Sequence, residues 1–227
     1  MKLLLKAICL IILFASLHAS AQKKEQVLFS GKIENHVNKE LTLFDVNNNK
    51  ITIMVDDAGQ FKQAVDLAEA GYHRFYDDKD RLAIYFEKGK DVQLSYDAKK
   101  FKETVKFSGP GAAANNYLLK KDQMRLELTQ MPGKDSKFNI FSLTEREFKD
   151  HYLAMKQAML KELSATPGLS AQYKRLEAKN INYEYLFFLS QYESVQVNHM
   201  NNKSFKATDV LNGELKGLEY NNKEDFL

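Results

Sequence analysis

The sequence predicts an α+β fold, in which an N-terminal antiparallel β-sandwich or barrel is followed by a C-terminal helical region. Hydrophobic residues alternate with period two, in short runs cut by turns, from Gln26 to Phe107. After Gly111 the apolar residues recur at helical spacing instead. With 44% hydrophobic and 11% aromatic residues, a chain of 227 residues can bury a substantial core.

Residues 1–21 are predicted to be a signal peptide rather than part of the fold. Lys2 and Lys6 form a basic region before the apolar stretch AICLIILFASL, and the small residues ASA at 19–21 form a cleavage site. The apolar stretch is shorter than the roughly 20 residues that a transmembrane helix needs. We therefore expect a periplasmic or otherwise exported protein that is soluble after cleavage and has no stable membrane span.

The charge and the cysteine content argue against nucleic-acid binding and against cysteine-based chemistry in the mature chain. Cleavage after Ala21 would remove two lysines and no acids, so the formal net charge would fall from +3 to +1. A near-neutral protein gives no electrostatic reason to bind nucleic acid. The one cysteine, Cys9, lies inside the predicted leader. The mature chain is therefore expected to carry no thiol nucleophile, disulfide or cysteine-ligated zinc.

The segment 26–108 is predicted to be an antiparallel β domain. Its strands are separated by turn sequences such as NNN at 47–49, DDAG at 56–59 and EKGKD at 87–91. Such short connections favour antiparallel neighbours, because parallel strands need long crossovers. No helix-sized segment interrupts the run, which argues against a Rossmann-type or thioredoxin-type βαβ unit here.

The segment 112–227 is predicted to be a helical domain. Its first helix begins with AAANNYLL and stops before Pro132, and a short element, TDVLNGELKGL, follows the third helix. We assign the second helix a capping box from Ser142 to Glu145, the third an N-cap at Ser170, and a last helix start to Asn222. The predicted apolar positions of the three longer helices are Tyr117, Leu118, Met124, Leu126 and Leu128; Phe148, Tyr152, Met155, Met159 and Leu163; and Tyr185, Phe188, Leu189, Tyr192 and Val195.

Aromatic residues crowd the third predicted helix on more than one face. They include Tyr183, Tyr185, Phe187, Phe188 and Tyr192. Aromatic residues at helical spacing are typical of a core or an interdomain contact rather than a ligand site. Coverage of two faces favours a partner or a further domain that packs on this helix.

The two predicted domains meet at Gly109, Pro110 and Gly111, inside FSGPGAAANNYLLKK. A Gly-rich turn before a helix can hold phosphate, but no Lys-Ser or Lys-Thr follows, and the preceding strand belongs to a meander. The glycines allow a sharp turn, and Pro110 stiffens it. We therefore interpret 109–111 as an interdomain hinge, and residues 112–114 as a small-residue helix start against a neighbouring surface.

No residue pattern identifies a catalytic, cofactor-binding or metal site, and each is assigned as none. The histidines outside the leader lie far apart and lack metal-ligand spacing; they are His36, His73, His151 and His199. We expect them to be partly buried or surface residues. The acidic pairs at 56–57 and 77–78 are expected to be solvated turn residues rather than paired catalytic carboxylates.

The order of these elements resembles the N-terminal half of exported TlpA-like thiol–disulfide oxidoreductases. The resemblance spans 26–226, and its best local signatures are VDDAGQF, KGKDVQL and GPGAAANNYL. In that family, a β-rich region and helices precede a thioredoxin-fold domain with a Cys-x-x-Cys site. The resemblance implies an accessory region that positions or dimerises the redox domain, or recognises the client protein. Because no cysteine follows the leader, no catalytic residue is carried over.

Several alternatives stay open at this point. The implied partners are a thioredoxin-fold domain beyond this chain or a client protein, and a homodimer is a further alternative. The chain is expected to be either a fragment of a longer enzyme or a shortened relative. A second hypothesis is a stand-alone cell-envelope module that binds a ligand or a protein. The third and least favoured is a hydrolase with unrecognised carboxylates.

Overall fold

The computed structural model describes residues 26–67, 70–129 and 138–216. The predicted leader, Pro132 and the helix start at Asn222 lie outside the described residues. The strands are β1 Gln26–Glu34, β2 Glu40–Phe44, β3 Lys50–Met54, β4 Gln60–Asp66, β5 Gly71–Asp77, β6 Asp80–Phe86, β7 Val92–Asp97 and β8 Lys106–Ser108. The helices are α1 Phe101–Thr104, α2 Ala112–Thr129, α3 Glu145–Ala165, α4 Ala171–Asn198 and α5 Asp209–Leu215, with a 3-10 turn at Ile140–Ser142. This order confirms the predicted α+β class.

The strands form two four-stranded sheets, ordered β4-β1-β7-β8 and β3-β2-β5-β6. Neighbours are antiparallel except β1 and β7, which run parallel with Phe29 opposite Val92. The parallel pair corrects the expectation of antiparallel neighbours throughout. Strands β2 to β6 lie between β1 and β7 in the chain, so they supply the long crossover that parallel pairing requires.

The core of the sandwich lies between the two sheets. Alternation along β1 buries Val27, Phe29 and Ile33. The ring of Phe29 makes edge contacts with Phe61 of one sheet at 5.0 Å and with Phe86 of the other at 5.4 Å between centroids. Aromatic rings prefer this geometry to a face-to-face stack. One residue thereby links both sheets.

Helix α3 has the predicted buried stripe at all five positions, and its start corrects one prediction. Thr144 is the N-cap: its hydroxyl accepts from the Glu147 N–H, and the Glu147 carboxylate accepts from the Thr144 N–H at 2.9 Å. The capping box predicted from Ser142 to Glu145 is wrong. Ser142 instead closes the preceding 3-10 turn through its N–H to the Asn139 carbonyl.

Helix α4 begins as predicted, with the Ser170 hydroxyl accepting from the Tyr173 N–H. Of its predicted stripe, Tyr185, Leu189 and Tyr192 are buried, and the other two positions are half-buried. The described part of the chain contains no helix that is both long and apolar enough to span a membrane.

Helix α2 departs further from its predicted pattern. Tyr117 and Leu118 are buried, Met124 and Leu128 are half-buried, and Leu126 is 64% exposed. The buried face instead includes two polar residues, Asn115 and Lys121. These two residues lead to the junction between the sandwich and the helices.

Candidate functional site at the junction of sandwich and helices

The corner at 109–111 joins β8 to α2 and packs against the start of β7. The Gly111 N–H donates to the Asp91 carbonyl at 2.9 Å. A Cβ on Gly111 would lie 2.6 Å from Cγ2 of Val92, and Gly109 has a φ of +87°. Space at Gly111 and backbone conformation at Gly109 therefore favour glycine. That these residues act as an interdomain hinge stays a prediction.

Two consecutive asparagines at the start of α2 each hold one edge strand. Asn115, fully buried, accepts from the Tyr85 N–H at 2.8 Å and donates to the Tyr85 carbonyl at 2.9 Å. Asn116 makes the same pair of bonds to Phe107, at 3.1 and 3.0 Å. Tyr85 lies on β6 and Phe107 on β8, which are edge strands of different sheets. The amides satisfy backbone groups that an edge strand would leave open, and α2 closes this side of the sandwich.

Four tyrosine rings pack beside this clamp. Tyr72 and Tyr85 belong to the sandwich, and they meet Tyr117 of α2 and Tyr173 of α4. Ring centroids lie 4.7 Å apart for Tyr85 and Tyr173, and 6.1 Å apart for Tyr117 and Tyr173. Burial raises the pKa of Tyr85 to about 12 and raises the pKa of the other three as well. All four therefore stay protonated near neutral pH.

A buried ion pair crosses the same junction. Glu177 of α4 is 0% exposed, and the Lys121 ammonium of α2 lies 2.6 Å from one of its oxygens. The Tyr72 hydroxyl of β5 donates to the other oxygen. Lys121 also lies 3.5 Å from Glu184, which pairs with Arg125. One connected network thus links a strand of the sandwich to two helices.

The electrostatics of the pair formed by Glu184 and Arg125 favour its ionised form. Burial opposes ionisation of Glu184, but the hydrogen bond from Arg125 and the charges of Lys121 and Arg125 outweigh it, so the pKa of Glu184 is lowered. Burial would lower the pKa of Arg125, yet its contacts with Glu184 raise it. Each charge in the network faces an opposite charge. The arrangement holds elements together rather than presenting an acid or base to a substrate.

The acidic turn residues and His73, which the sequence also singled out, have partners outside this network. The Asp56 carboxylate accepts from the N–H groups of Ala58 and Gln60, as expected for a turn acid. Asp77 is different, because it is buried and accepts from the Tyr96 hydroxyl at 2.7 Å. The expectation of a solvated turn acid is wrong there. His73 is buried, with its ring edge against Phe86.

No metal-binding cluster is apparent in residues 26–67, 70–129 and 138–216: no three His, Cys, Asp or Glu side chains lie close enough to hold an ion. The sequence patterns did not single out the polar residues of the junction, which are Asn115, Asn116, Lys121 and Glu177. Asn115 and Asn116 stand inside GPGAAANNYL, and two amides among small and apolar residues at a helix start were the available signal.

An open groove lies on the outer face of the sheet β4-β1-β7-β8, apart from the junction. Strand registers place two rows of polar residues across it: Lys62, Ser30, Gln93 and Ser108, then Gln60, Lys32, Ser95 and Lys106. An open groove of about 720 Å³ covers most of these positions. Its hydroxyl, amide and ammonium groups offer hydrogen bonds to a polar ligand.

Comparisons of the chain with family models, with curated proteins and with solved structures each found no match.

Proposed function

We propose that this chain is an exported, non-catalytic N-terminal region of a TlpA-like thiol–disulfide oxidoreductase, and that it positions the redox domain. The family assignment is supported by the resemblance in VDDAGQF, KGKDVQL and GPGAAANNYL. The positioning role is supported by one observation above all. The sandwich and the helices are tied by the asparagine clamp and by the buried Lys121–Glu177–Tyr72 network.

A positioning module must keep a fixed geometry between its parts. Domains within one chain move relative to one another by default unless their interface is large and well packed. Here the interface contains packed tyrosine rings, two-point amide clamps and a carboxylate that has no exposed surface. Loss of one member would leave a buried charge or backbone group without a partner, which is costly. Sandwich and helices are therefore expected to move as one body, and 109–111 would then act as a rigid corner rather than as the predicted hinge.

The segments that carry the resemblance have structural tasks, which fits an accessory role. In VDDAGQF, Asp56 closes a turn, and a Cβ on Gly59 would lie 2.2 Å from the Ile33 carbonyl oxygen. In KGKDVQL, the Asp91 carboxylate accepts from the Leu28 N–H at 2.9 Å, and its carbonyl accepts from Gly111. These contacts shape corners of the fold rather than a reaction site.

The coding sequence beyond Leu227 tests the family assignment. We expect an in-frame segment that encodes Trp-Cys-x-x-Cys. Intact mass and thiol titration of the natural secreted product should then show a longer chain with two reactive thiols. A stop codon directly after Leu227, with a natural product that carries no thiol, would overturn the assignment.

The positioning role is tested on the natural full-length product. Asn115→Ala loosens the clamp, and Gln123→Ala, on the exposed surface of α2, is the matched control. We expect Asn115→Ala to lower kcat/KM for reduction of a protein disulfide while reduction of a small aromatic disulfide is unchanged. Equal effects on both substrates, or no effect on either, would contradict positioning.

A stand-alone cell-envelope binding module is the second candidate, and the polar groove on the outer sheet face favours it. Titration of soluble cell-envelope glycan fragments into the purified protein tests this function. Saturable binding that Gln93→Leu abolishes and Lys203→Ala leaves intact would support it. The absence of saturable binding would remove this candidate.

A further inference from the structure

We propose that the open groove on the outer face of the sheet β4-β1-β7-β8 binds an acidic glycan, which is a sugar chain that carries carboxylates. The proposal rests on the second candidate function, a cell-envelope binding module, and gives the chemical class of its ligand. It does not depend on the proposed redox domain. Three observations support it: lysines without acidic partners, an oriented amide donor, and a sheet face without aromatic rings.

Three exposed lysines stand in the two polar rows of this face, and neither row contains an acid. Lys62 lies on β4, Lys32 on β1 and Lys106 on β8. Lys62 and Lys32 line the groove, and Lys106 ends the second row. In that row, Ser95 of β7 lies between Lys32 and Lys106. Because neighbouring strands lie about 4.8 Å apart, the Cα atoms of Lys32 and Lys106 are about 10 Å apart.

The ammonium groups of these lysines are available to an anion. Within the described residues, none of the three forms an ion pair. Asp56 also lines the groove, but two backbone N–H groups of its own turn already bind its carboxylate. Glu34 and Asp97 lie opposite each other one row beyond Lys32. Their charges repel an anion, which directs an acidic ligand toward the row that contains Ser30.

An oriented amide lies in the row that contains Ser30. The Ser108 hydroxyl donates to the side-chain oxygen of Gln93 at 3.1 Å. This bond engages the oxygen of Gln93 and leaves its NH2 group to donate to a ligand. Ser30 lies opposite Gln93 and adds a hydroxyl that can donate or accept. The groove therefore offers neutral hydrogen-bonding groups beside its charged ones, which suits a chain of hydroxyls interspersed with carboxylates.

The side chains of this face favour a glycan over other acidic polymers. The outward positions of its four strands carry no aromatic residue, and Met54 alone among the exposed large hydrophobic residues of the described chain lines the groove. Single-stranded nucleic acids need aromatic rings for base stacking, protein partners need buried anchor residues, and membrane surfaces need an apolar face.

The lack of rings also favours an acidic sugar over a neutral one. A neutral sugar would have no ring to stack on and only neutral hydrogen bonds to make. Hydrogen bonds between ammonium groups and carboxylates are about twice as strong as neutral ones. The affinity of this groove for a sugar chain is therefore expected to depend on the carboxylates of the ligand.

Isothermal titration calorimetry of the purified protein tests the proposal with two matched probes. One is an oligogalacturonate, and the other is the same oligosaccharide after reduction of its carboxyl groups to alcohols. We expect saturable binding of the acidic probe, with a Kd at least about tenfold below that of the neutral probe. This Kd should rise with NaCl, because salt screens exposed charges. Poly-L-glutamate, which has carboxylates but no hydroxyls, should bind more weakly than the oligogalacturonate.

Charge reversal at exposed positions tests whether the ligand lies in the groove. Lys32→Glu/Lys62→Glu should raise the Kd for the oligogalacturonate at least about tenfold. Gln93→Glu keeps an oxygen for Ser108 and adds a like charge, so it should weaken binding in the same direction. The control Lys203→Glu makes the same change of charge on an exposed residue of the helical region and should leave the Kd unchanged.

The two probes separate failure of this proposal from failure of the function on which it rests. Equal or tighter binding of the neutral probe would overturn the acidic class and leave the binding module standing. Binding of neither probe would overturn both. Tighter binding of poly-L-glutamate would make the partner an acidic polypeptide and overturn the proposal. A Kd unchanged in both groove variants would also overturn it.

Discussion

At the residue scale, Asn115 makes three buried hydrogen bonds at the junction. Its one amide serves the N–H and carbonyl of Tyr85 and the carbonyl of Gly111, at a site with 0% exposure. Asn115→Leu has a similar volume but leaves these groups unpaired, at about 1–3 kcal/mol each. We expect the free energy of unfolding in urea to fall by about 3–5 kcal/mol.

Asn116→Leu is the matched control for this prediction. It removes the same type of clamp at an exposed position, where water can replace the lost hydrogen bonds. We expect it to cost about 1 kcal/mol or less. Equal losses in the two variants would show that burial of Asn115 does not govern the strength of the clamp.

Gly111 offers a second test at single-residue scale. Gly111→Ala would force a methyl group to within 2.6 Å of Val92 and 3.0 Å of the Lys90 carbonyl oxygen. Overpacking of this kind costs about 1–3 kcal/mol, which urea unfolding would detect. Gly213→Ala in α5 meets open space and should instead stabilise the protein by up to about 1 kcal/mol. A Gly111→Ala variant as stable as wild type would refute the tight corner.

The lowered pKa of Glu184 predicts a pH dependence of stability. A carboxylate whose pKa is lower in the folded state adds stability above its unfolded pKa of about 4.3, and this contribution is lost as the pH falls through the folded pKa. Glu184→Gln removes the contribution. We expect urea midpoints of this variant to fall less steeply than those of wild type below about pH 4.5. Parallel pH profiles for the two proteins would rule this out.

At the element scale, the start of α3 gives a prediction that separates two local patterns. Thr144→Ala removes the hydroxyl that accepts from Glu147 and should cost about 1 kcal/mol in unfolding free energy. Ser142→Ala should change it by less than about 0.5 kcal/mol, because Ser142 lies on the surface outside the helix. A larger loss at Ser142 than at Thr144 would move the helix start back to Ser142.

Helix α3 also shows which features can be predicted from the local sequence and which cannot. The period of apolar residues is enough to predict the α3 stripe and most strands, because burial of one face is a local pattern. The cap is not decided locally, since Ser142 and Thr144 are each followed by Glu three residues later. Ser142 is the last residue of the 3-10 turn capped by Asn139, so Thr144 is the residue that caps α3.

Contacts between elements that are far apart in the sequence cannot be predicted from local periodicity. Lys121 and Glu177 are 56 residues apart, and Tyr72 is 105 residues from Glu177. A helix with two polar residues on its inner face appears irregular until the partner strand and helix are in place. The parallel pairing of β1 with β7 has the same origin, since the connection runs through the other sheet. By contrast, the Gly-Pro-Gly corner is recognisable because its cause is local.

At the scale of the whole molecule, we expect the sandwich and the helices to form one body. Relative motion at the junction would separate Glu177 and the backbone of Tyr85 from their partners. Opening the junction would therefore break the ion pair and the asparagine hydrogen bonds at the same time. Such coupling makes the two regions unfold together rather than separately. A rigid accessory region of this kind is what the proposed positioning role requires.

Native-state hydrogen exchange tests this claim most directly. The amides of Phe75 in β5 and Leu189 in α4 lie in the two hydrophobic cores. If the molecule is one body, both amides exchange with the free energy of global unfolding, and Asn115→Leu lowers both values by the same amount. Exchange of Leu189 at a clearly lower free energy than Phe75, or a loss confined to one of them in the variant, would contradict it.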